Sequence, residues 1–146
     1  MQMSLCEVSL IHTPVLAKLH ETAFEKPWSE DEFKGLLTLL TTKGWVDETS
    51  LLLVSKVLDE IEILTILVHP DARGQGKAMA LLMHLIEYAK QTDVCQIFLE
   101  VNVLNTPAIC LYEKMGFKQT GVRKNYYKMK DGSFKDALLY QFVIEK

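Results

Sequence analysis

The part of the sequence whose residue types most directly suggest chemistry is a glycine-rich hexapeptide, RGQGKA, at residues 73–78. Pro70 precedes it, and apolar residues at helical spacing follow it. Free N–H groups at the start of a helix, with the positive end of the helix dipole, bind phosphate groups. Glycines let a ligand approach the backbone, and Arg73 and Lys77 add positive charge. The hexapeptide predicts a phosphate or diphosphate site, with a glycine-rich turn that only packs as the alternative.

Two common phosphate loops do not fit this hexapeptide. The Walker A loop, G-x-x-x-x-G-K-S/T, requires a glycine where this chain has Asp71 and a hydroxyl where it has Ala78. The Rossmann fingerprint, G-x-G-x-x-G, requires a third glycine where this chain has Met79, and no parallel βαβ unit opens the chain. The sequence therefore argues against a nucleotide hydrolase and against a dinucleotide-binding domain.

Hydrophobic periodicity predicts the elements that position this loop. Two β-rich runs separated by Asp59-Glu60 indicate a hairpin, and residues 45–49 fit no pattern. In chain order we predict strand 3–10, helices 13–24 and 29–40, strands 50–58 and 61–68, helix 78–89, strand 94–101, helix 106–115, and strands 117–123 and 137–144. This order is typical of one α/β domain over residues 1–146, with a mixed central sheet and helices on both faces.

Local signals predict where the helices begin and end. Ser29 followed by Glu32 is a capping box that opens the second helix. Thr13, which precedes a proline, is the predicted N-cap of the first helix. Lys43-Gly44 is predicted to end the second helix, and Gly116 is predicted to be the left-handed glycine after the last one.

Composition excludes several classes of protein. The chain has 146 residues and a formal net charge of −3, whereas a general nucleic-acid binder needs a basic surface. No apolar run approaches the roughly 20 residues that cross a membrane, and the N-terminus lacks the pattern of a signal peptide. The three cysteines include no C-x-x-C pair, and the four histidines do not cluster near them. We therefore expect reduced thiols, no metal site and a cytoplasmic location.

A second segment, LEVNVLNTPAICLYEKMGF at residues 99–117, holds a glutamate and a tyrosine, Glu100 and Tyr112. Residues 73–78 match the Q/R-x-x-G-x-G/A signature of the GCN5-related N-acetyltransferases (GNAT), and the whole chain resembles that superfamily. Residues 99–117 resemble the segment of the ribosomal-protein alanine N-acetyltransferases (the RimI type) that holds their catalytic residues. The likeness lies in Leu-Glu-Val, in an asparagine five residues after the glutamate, and in Leu-Tyr-Glu before Gly-Phe.

The resemblance implies a GNAT-like domain whose phosphate ligand is the pyrophosphate of acetyl-coenzyme A (acetyl-CoA), the co-substrate. It also implies that the pantetheine arm pairs like an added strand with the backbone of residues 66–68, where side-chain identity matters little. The residues that the resemblance assigns to acetyl-CoA are Ile66, Leu67, Val68, Arg73, Gly74, Gln75, Gly76, Lys77, Ala78 and Asn105.

The resemblance likewise assigns catalysis to Glu100 as the base and Tyr112 as the acid. Such a pair is needed because an ammonium must lose a proton before it attacks a thioester, and the leaving thiolate must gain one. Glu100 would act directly or through one water. Cys110 lies two residues before Tyr112, and residues at that spacing on a helix do not face together. Cys110 is therefore predicted to be a small buried residue rather than an acyl carrier.

Two further segments, residues 26–33 and 122–139, resemble the walls of the acceptor groove in the RimI type. The residues that line it by this resemblance are Trp28, Tyr126 and Tyr127. We predict acetylation of a protein N-terminal α-amine, that of alanine in a small-subunit ribosomal protein. The pKa of an α-amine, about 7.7–8.0, lies well below the roughly 10.4 of lysine, so one glutamate base suffices. The alternatives are acetylation of a lysine or a small-molecule amine, and a non-catalytic acetyl-CoA-binding module.

Overall fold

The computed structural model describes residues 4–146 and has an α/β fold with one mixed sheet. The strands are β1 (Cys6–Glu7), β2 (Thr42–Val46), β3 (Ser50–Val57), β4 (Glu60–Val68), β5 (Gln96–Asn102), β6 (Lys118–Lys128) and β7 (Phe134–Val143). The α-helices are α1 (Thr13–Ala23), α2 (Glu30–Leu37), α3 (Lys77–Lys90) and α4 (Thr106–Met115). In this part of the chain, none of the helices is both long enough and apolar enough to span a bilayer.

The sheet order is β1-β2-β3-β4-β5-β7-β6, and every neighbouring pair is antiparallel except β4 and β5. Leu16 of α1 and Phe33 of α2 pack with Leu51 of β3 in one core cluster. Leu85 of α3 and Tyr112 of α4 belong to a second cluster on the other side of the sheet. The predicted fold class, a mixed sheet with helices on both faces, is therefore confirmed.

Strand β2 is absent from the predicted elements, and this part of the prediction is wrong. Helix α2 already ends at Leu37, and Lys43-Gly44, the predicted helix stop, lies inside β2. Gly44 is needed there for packing, because an added Cβ would lie 2.6 Å from a Leu53 side-chain carbon and 2.9 Å from the Leu52 carbonyl oxygen. The element order is therefore β-α-α-β-β-β-α-β-α-β-β.

The helix signals were mostly correct. The Ser29 capping box is present, with Glu32 N–H donating to Ser29 Oγ at 3.1 Å. Gly116 has a φ of 103°, the left-handed conformation predicted for it. Thr13, by contrast, lies within α1, because a 3-10 turn precedes that helix and the Thr13 hydroxyl donates to Leu10 O instead of capping.

The predicted first strand, residues 3–10, is much shorter in the structure. Its residue 3 lies outside the described part of the chain, and the strand that is described covers only Cys6–Glu7. From Leu10 the chain already turns into the 3-10 helix that leads to α1. The short strand pairs with β2 and so forms one edge of the sheet.

The sheet opens between β4 and β5. These parallel strands pair only from Glu60 with Gln96 to Glu62 with Phe98. Beyond that point β4 continues beside β3 alone, and β5 continues beside β7 alone. The two strands diverge and leave a cleft between them. The second half of β4 lies on one wall of this cleft, and the second half of β5 lies on the other.

Candidate active site

The cleft between the diverging strands has a volume of about 990 Å³. Its walls come from the end of α1 and the loop after it, from β4, the start of α3, β5, α4 and β6. Most of the site residues expected from the sequence lie on these walls: Trp28, Ile66, Leu67, Val68, Arg73, Gly74, Gly76, Lys77, Ala78, Glu100, Asn105, Tyr112 and Tyr127. Gln75 and Tyr126 do not lie on them.

One edge of β4 has no strand partner along the cleft. Residues 63–68 pair with β3 on the other edge, where a bulge at Leu64 interrupts the register. Within the described chain, the pairing with β5 stops at Glu62. The N–H and C=O groups on this edge can therefore pair with an extended ligand, as an added strand would.

The glycine loop leads from β4 into α3. Gly74 and Gly76 have φ values of 79° and 75°, a backbone region that side chains other than glycine adopt only at a cost. Gly76 is the N-cap of α3 and has no side chain to accept from the first-turn N–H groups, which remain available to an anion. Arg73 Nε donates to Val68 O at 3.2 Å and ties the loop to the end of β4.

Lys77 forms a buried ion pair that the sequence did not reveal. Its Nζ lies 3.1 Å from Asp47 Oδ2, with the two side chains 12% and 7% exposed, and it also contacts the Thr49 hydroxyl. Burial raises the pKa of Asp47, but hydrogen bonds from Thr49, Ser50 and Lys77 and the Lys77 charge outweigh it, so the pKa lies below its ordinary value. The Lys77 charge is thus compensated inside the protein, and the pair joins the loop to the turn after β2.

We expect Lys77→Met to lower the free energy of unfolding by about 3 kcal/mol, because it leaves the buried Asp47 carboxylate without its cation. Urea unfolding monitored by circular dichroism measures this loss. The double variant Asp47→Asn with Lys77→Met removes both charges and should recover more than half of the loss. A loss below about 1 kcal/mol for Lys77→Met, the range of surface pairs, would contradict this role.

Glu100 lies on β5 and faces a cation from β6. Its Oε1 is 2.9 Å from Arg123 Nη2, and the side chains of Glu100 and Arg123 are 18% and 56% exposed. Arg123 also lies over the ring of Tyr126, 5.2 Å from its centroid. Burial, and secondly the charge of Glu100, raise the pKa of Glu62, the last β4 residue paired with β5. The base candidate therefore belongs to a cluster of two carboxylates and one guanidinium.

A bulge in β6 sets the directions of the two adjacent tyrosines. Residues 124–126 stand opposite the single residue Asp136 of β7. Asn125 takes a left-handed conformation with a φ of 53°, and its N–H donates to Asp136 Oδ1 at 3.0 Å. The two neighbouring tyrosines therefore have different surroundings. Tyr127 is half-buried on the cleft wall, and Tyr126 is 49% exposed outside the cleft.

Tyr112 reaches the cleft from α4. Its side chain is 5% exposed and packs against Phe117 and Tyr140. Within residues 4–146 its hydroxyl makes no hydrogen bond to protein, which leaves it free to contact a ligand in the cleft. Burial, and secondly the nearby Tyr127, raise the pKa of Tyr112. The hydroxyl is therefore protonated at neutral pH and can donate a proton.

Tyr127 lies near both catalytic candidates. Burial raises the pKa of Tyr127 to about 12, with further increases from the charge of Glu100 and from Tyr126. Glu100 from β5, Tyr112 from α4 and Tyr127 from β6 thus meet where the two strands part. The arrangement offers a carboxylate base and protonated phenols to a substrate in the cleft.

Four further features concern a cysteine, a helix cap, possible metal ligands and a histidine. Cys110 is exposed on α4, not buried as predicted. Asn105, placed in the acetyl-CoA site by resemblance, is also the N-cap of α4, and its Oδ1 accepts from Ala108 N–H at 3.3 Å. Among residues 4–146, no three His, Cys, Asp or Glu side chains cluster as a metal site would require. The cleft residue His20 was missed, since nothing in its spacing marks it.

The buried His20 side chain should make stability depend on pH. Burial lowers its pKa from 6.5 to about 4, an effect that the charge of Glu32 partly opposes. The unfolded chain binds this proton near pH 6.5 and the folded chain only near pH 4, so stability falls as pH decreases through that window. We expect a loss of about 3 kcal/mol between pH 7 and 4 from this group. Urea unfolding of wild type and His20→Gln measures it, and equal slopes would contradict it.

Comparison with known proteins gives consistent matches. Residues 16–117 match the Acetyltransferase (GNAT) family. Over 137 residues the chain is 36% identical to the ribosomal protein bS18-alanine N-acetyltransferase of Escherichia coli (strain K12), with 90% of each chain covered. The crystal structure of the ribosomal-protein-S18-alanine N-acetyltransferase from Escherichia coli has a TM-score of 0.89 at 30% identity, covering 98% of this chain and 94% of that one. A spermidine N-acetyltransferase from Vibrio cholerae shares the fold, with a TM-score of 0.79 at 19% identity over 96% of this chain and 92% of that one.

Proposed function

Because this chain belongs to the Acetyltransferase (GNAT) family, whose acetyl donor is acetyl-CoA, we propose that it acetylates the N-terminal α-amine of a protein. The proposed acceptor is the N-terminal alanine of a small-subunit ribosomal protein. The observation that carries this acceptor is the 36% identity, across 90% of both chains, with an enzyme named for alanine of ribosomal protein bS18. The geometry of the cleft supports the reaction itself.

Acetyl-CoA is proposed to bind along β4 and the glycine loop. The pyrophosphate would accept hydrogen bonds from the first turn of α3, whose N-cap, Gly76, supplies no competing side chain. Arg73, exposed beside the loop, would add charge to this contact. The pantetheine amides would pair with the free edge of β4 at residues 66–68, and Asn105 faces the same space.

The proposed chemistry is direct transfer. Glu100, directly or through one water, takes a proton from the α-ammonium, and the free amine then attacks the thioester carbonyl. When the tetrahedral intermediate collapses, the C–S bond breaks and Tyr112 donates its proton to the leaving thiolate. The nitrogen of the new amide loses its remaining extra proton to solvent, and Tyr112 regains a proton from solvent. The support is that a half-buried carboxylate on β5 and a buried, protonated phenol on α4 line the same cleft.

The ion pair between Glu100 and Arg123 bears on how the acceptor enters. The acceptor arrives as a cation, and the carboxylate that it must reach already holds a guanidinium at 2.9 Å. Arg123 is 56% exposed and can move into solvent, and separating such an exposed cation from Glu100 costs little free energy. An α-ammonium, with a pKa of about 7.7–8.0, then gives up its proton to a single carboxylate more readily than a lysine does.

A panel of acceptors tests this proposal. The panel contains a peptide with N-terminal alanine and an internal lysine, the same peptide with a blocked N-terminus, and spermidine, each with acetyl-CoA. We expect one acetyl group on the first peptide, placed on the α-nitrogen by fragmentation mass spectrometry, and none on the blocked peptide. Acetylation of only the lysine or spermidine would replace the proposed acceptor. Tight acetyl-CoA binding without turnover of any acceptor would indicate a binding module.

A further inference from the structure

His20 on α1 is a buried polar side chain with both ring nitrogens engaged. It is 3% exposed. Its Nδ1 accepts the backbone N–H of Trp28 at 2.9 Å, and its Nε2 lies 3.2 Å from the hydroxyl of Thr65 on β4. Because an amide N–H only donates, Nδ1 carries no proton. The neutral ring therefore has its proton on Nε2 and donates it to Thr65.

Aromatic contacts hold the same ring in place. Phe24 and Trp28 stack on His20, with centroids 4.2 and 4.7 Å away and interplanar angles of 20° and 12°. Phe33 meets the ring edge-on at 5.5 Å. The ring cannot rotate without disturbing these contacts, so the direction of each nitrogen is fixed.

The loop after α1 depends on this ring. Within the described part of the chain, the backbone of residues 25–28 makes one hydrogen bond, the one from Trp28 N–H to His20. Trp28 lies on the cleft wall beside the half of β4 proposed to hold pantetheine. The nitrogen on the other side of the ring contacts Thr65, immediately before that segment. His20 thus links the proposed acceptor wall to the proposed acetyl-CoA strand.

We infer that His20 is a positioning residue for the acceptor, which holds the Trp28 segment of the groove at a fixed distance from β4 through its Nδ1 acceptor and Nε2 donor. The inference rests on the proposed function. The donor–acceptor pattern requires a neutral ring, because a protonated Nδ1 would face the Trp28 N–H with a second donor. The low pKa of His20, about 4 through burial, agrees with a neutral ring at physiological pH.

Two substitutions separate the two nitrogens. In His20→Asn the amide oxygen can replace Nδ1, and in His20→Gln the longer amide can replace Nε2. We expect His20→Gln to raise KM for the acceptor peptide about tenfold, because it loses the acceptor that holds the Trp28 N–H directly. His20→Asn keeps that acceptor and loses only the anchor to Thr65, so we expect it to raise this KM less than threefold. In both variants KM for acetyl-CoA should stay within twofold of wild type. Circular dichroism melts confirm that both variants are folded.

The ring itself is tested without catalysis. Long-range ¹H–¹⁵N correlation spectra of the wild type should show the His20 proton on Nε2, and the Trp28 amide should exchange slowly. A proton on Nδ1, an equal rise of acceptor KM in both variants, or a parallel rise of KM for acetyl-CoA would overturn the inference. Failure of the proposed function looks different, because wild type would then acetylate no N-terminal peptide while the Nε2 proton and the protected amide were still observed.

Discussion

Glu100→Gln is expected to lower kcat/KM for an N-terminal alanine peptide by about 10³-fold at pH 7, within the range that general bases contribute. The amide keeps the shape of the carboxylate but cannot take the proton of the α-ammonium. The residual rate should rise with pH up to about pH 8, where solvent deprotonates the amine instead. Steady-state kinetics at several pH values measure both effects.

The control for Glu100→Gln is the neighbouring carboxylate. Glu62 lies close enough for the Glu100 charge to raise its pKa, but it is not on the cleft wall. Glu62→Gln should therefore cost less than tenfold in kcat/KM. Acetyl-CoA affinity by calorimetry should be unchanged in both variants. If Glu62→Gln were inactive and Glu100→Gln active, Glu62 and not Glu100 would be the base.

Tyr112→Phe is expected to lower kcat by about 10²-fold, because the thiolate of coenzyme A would leave without a proton donor. The effect should shrink with an acetyl thioester whose thiol has a low pKa, since that leaving group needs no proton. The variant should fold, because the phenyl ring keeps the packing of Tyr112 against Phe117 and Tyr140. Single-turnover kinetics with the two thioesters measure the difference.

A second buried tyrosine provides the matched control. Tyr140 is 1% exposed in the same aromatic cluster, but its hydroxyl donates to Glu113 Oε2 at 2.8 Å and not into the cleft. Tyr140→Phe should cost about 1 kcal/mol of stability through that hydrogen bond and leave kcat within twofold. Equal loss of kcat in Tyr140→Phe and Tyr112→Phe would indicate a packing effect and contradict the acid role.

Features encoded over a few residues could be predicted from the sequence. The capping box at Ser29, the left-handed Gly116 and the glycine loop before α3 each depend on residues within one turn of each other. Strand β2 could not be predicted in this way. A glycine such as Gly44 is a common helix end, but here a glycine is needed because a side chain would collide with the neighbouring strand. The deciding atoms belong to Leu52 and Leu53, on the next strand.

The missed parts of the site are pairs that only the fold brings together. Lys77 meets Asp47 across the sheet end, and His20 meets Thr65 across 45 positions of sequence. Arg123 on β6 reaches Glu100 on β5 across the intervening strand β7, and only the strand order of the sheet shows that they are neighbours. The roles expected for Glu100 and Tyr112 came from resemblance to a family, because no local pattern of residues marks a base or an acid.

The short ladder between β4 and β5 also governs how the domain unfolds. Three residue pairs join a sheet half made of β1–β4 to one made of β5, β7 and β6, so few backbone hydrogen bonds cross the join. Cooperativity between the halves rests instead on the shared core, where Ile61 and Ile97 pack with Leu85 of α3. The halves are thus two foldons that are joined mainly by side chains. A co-substrate bound between them would add contacts to both halves and would stabilise the folded domain against their separation.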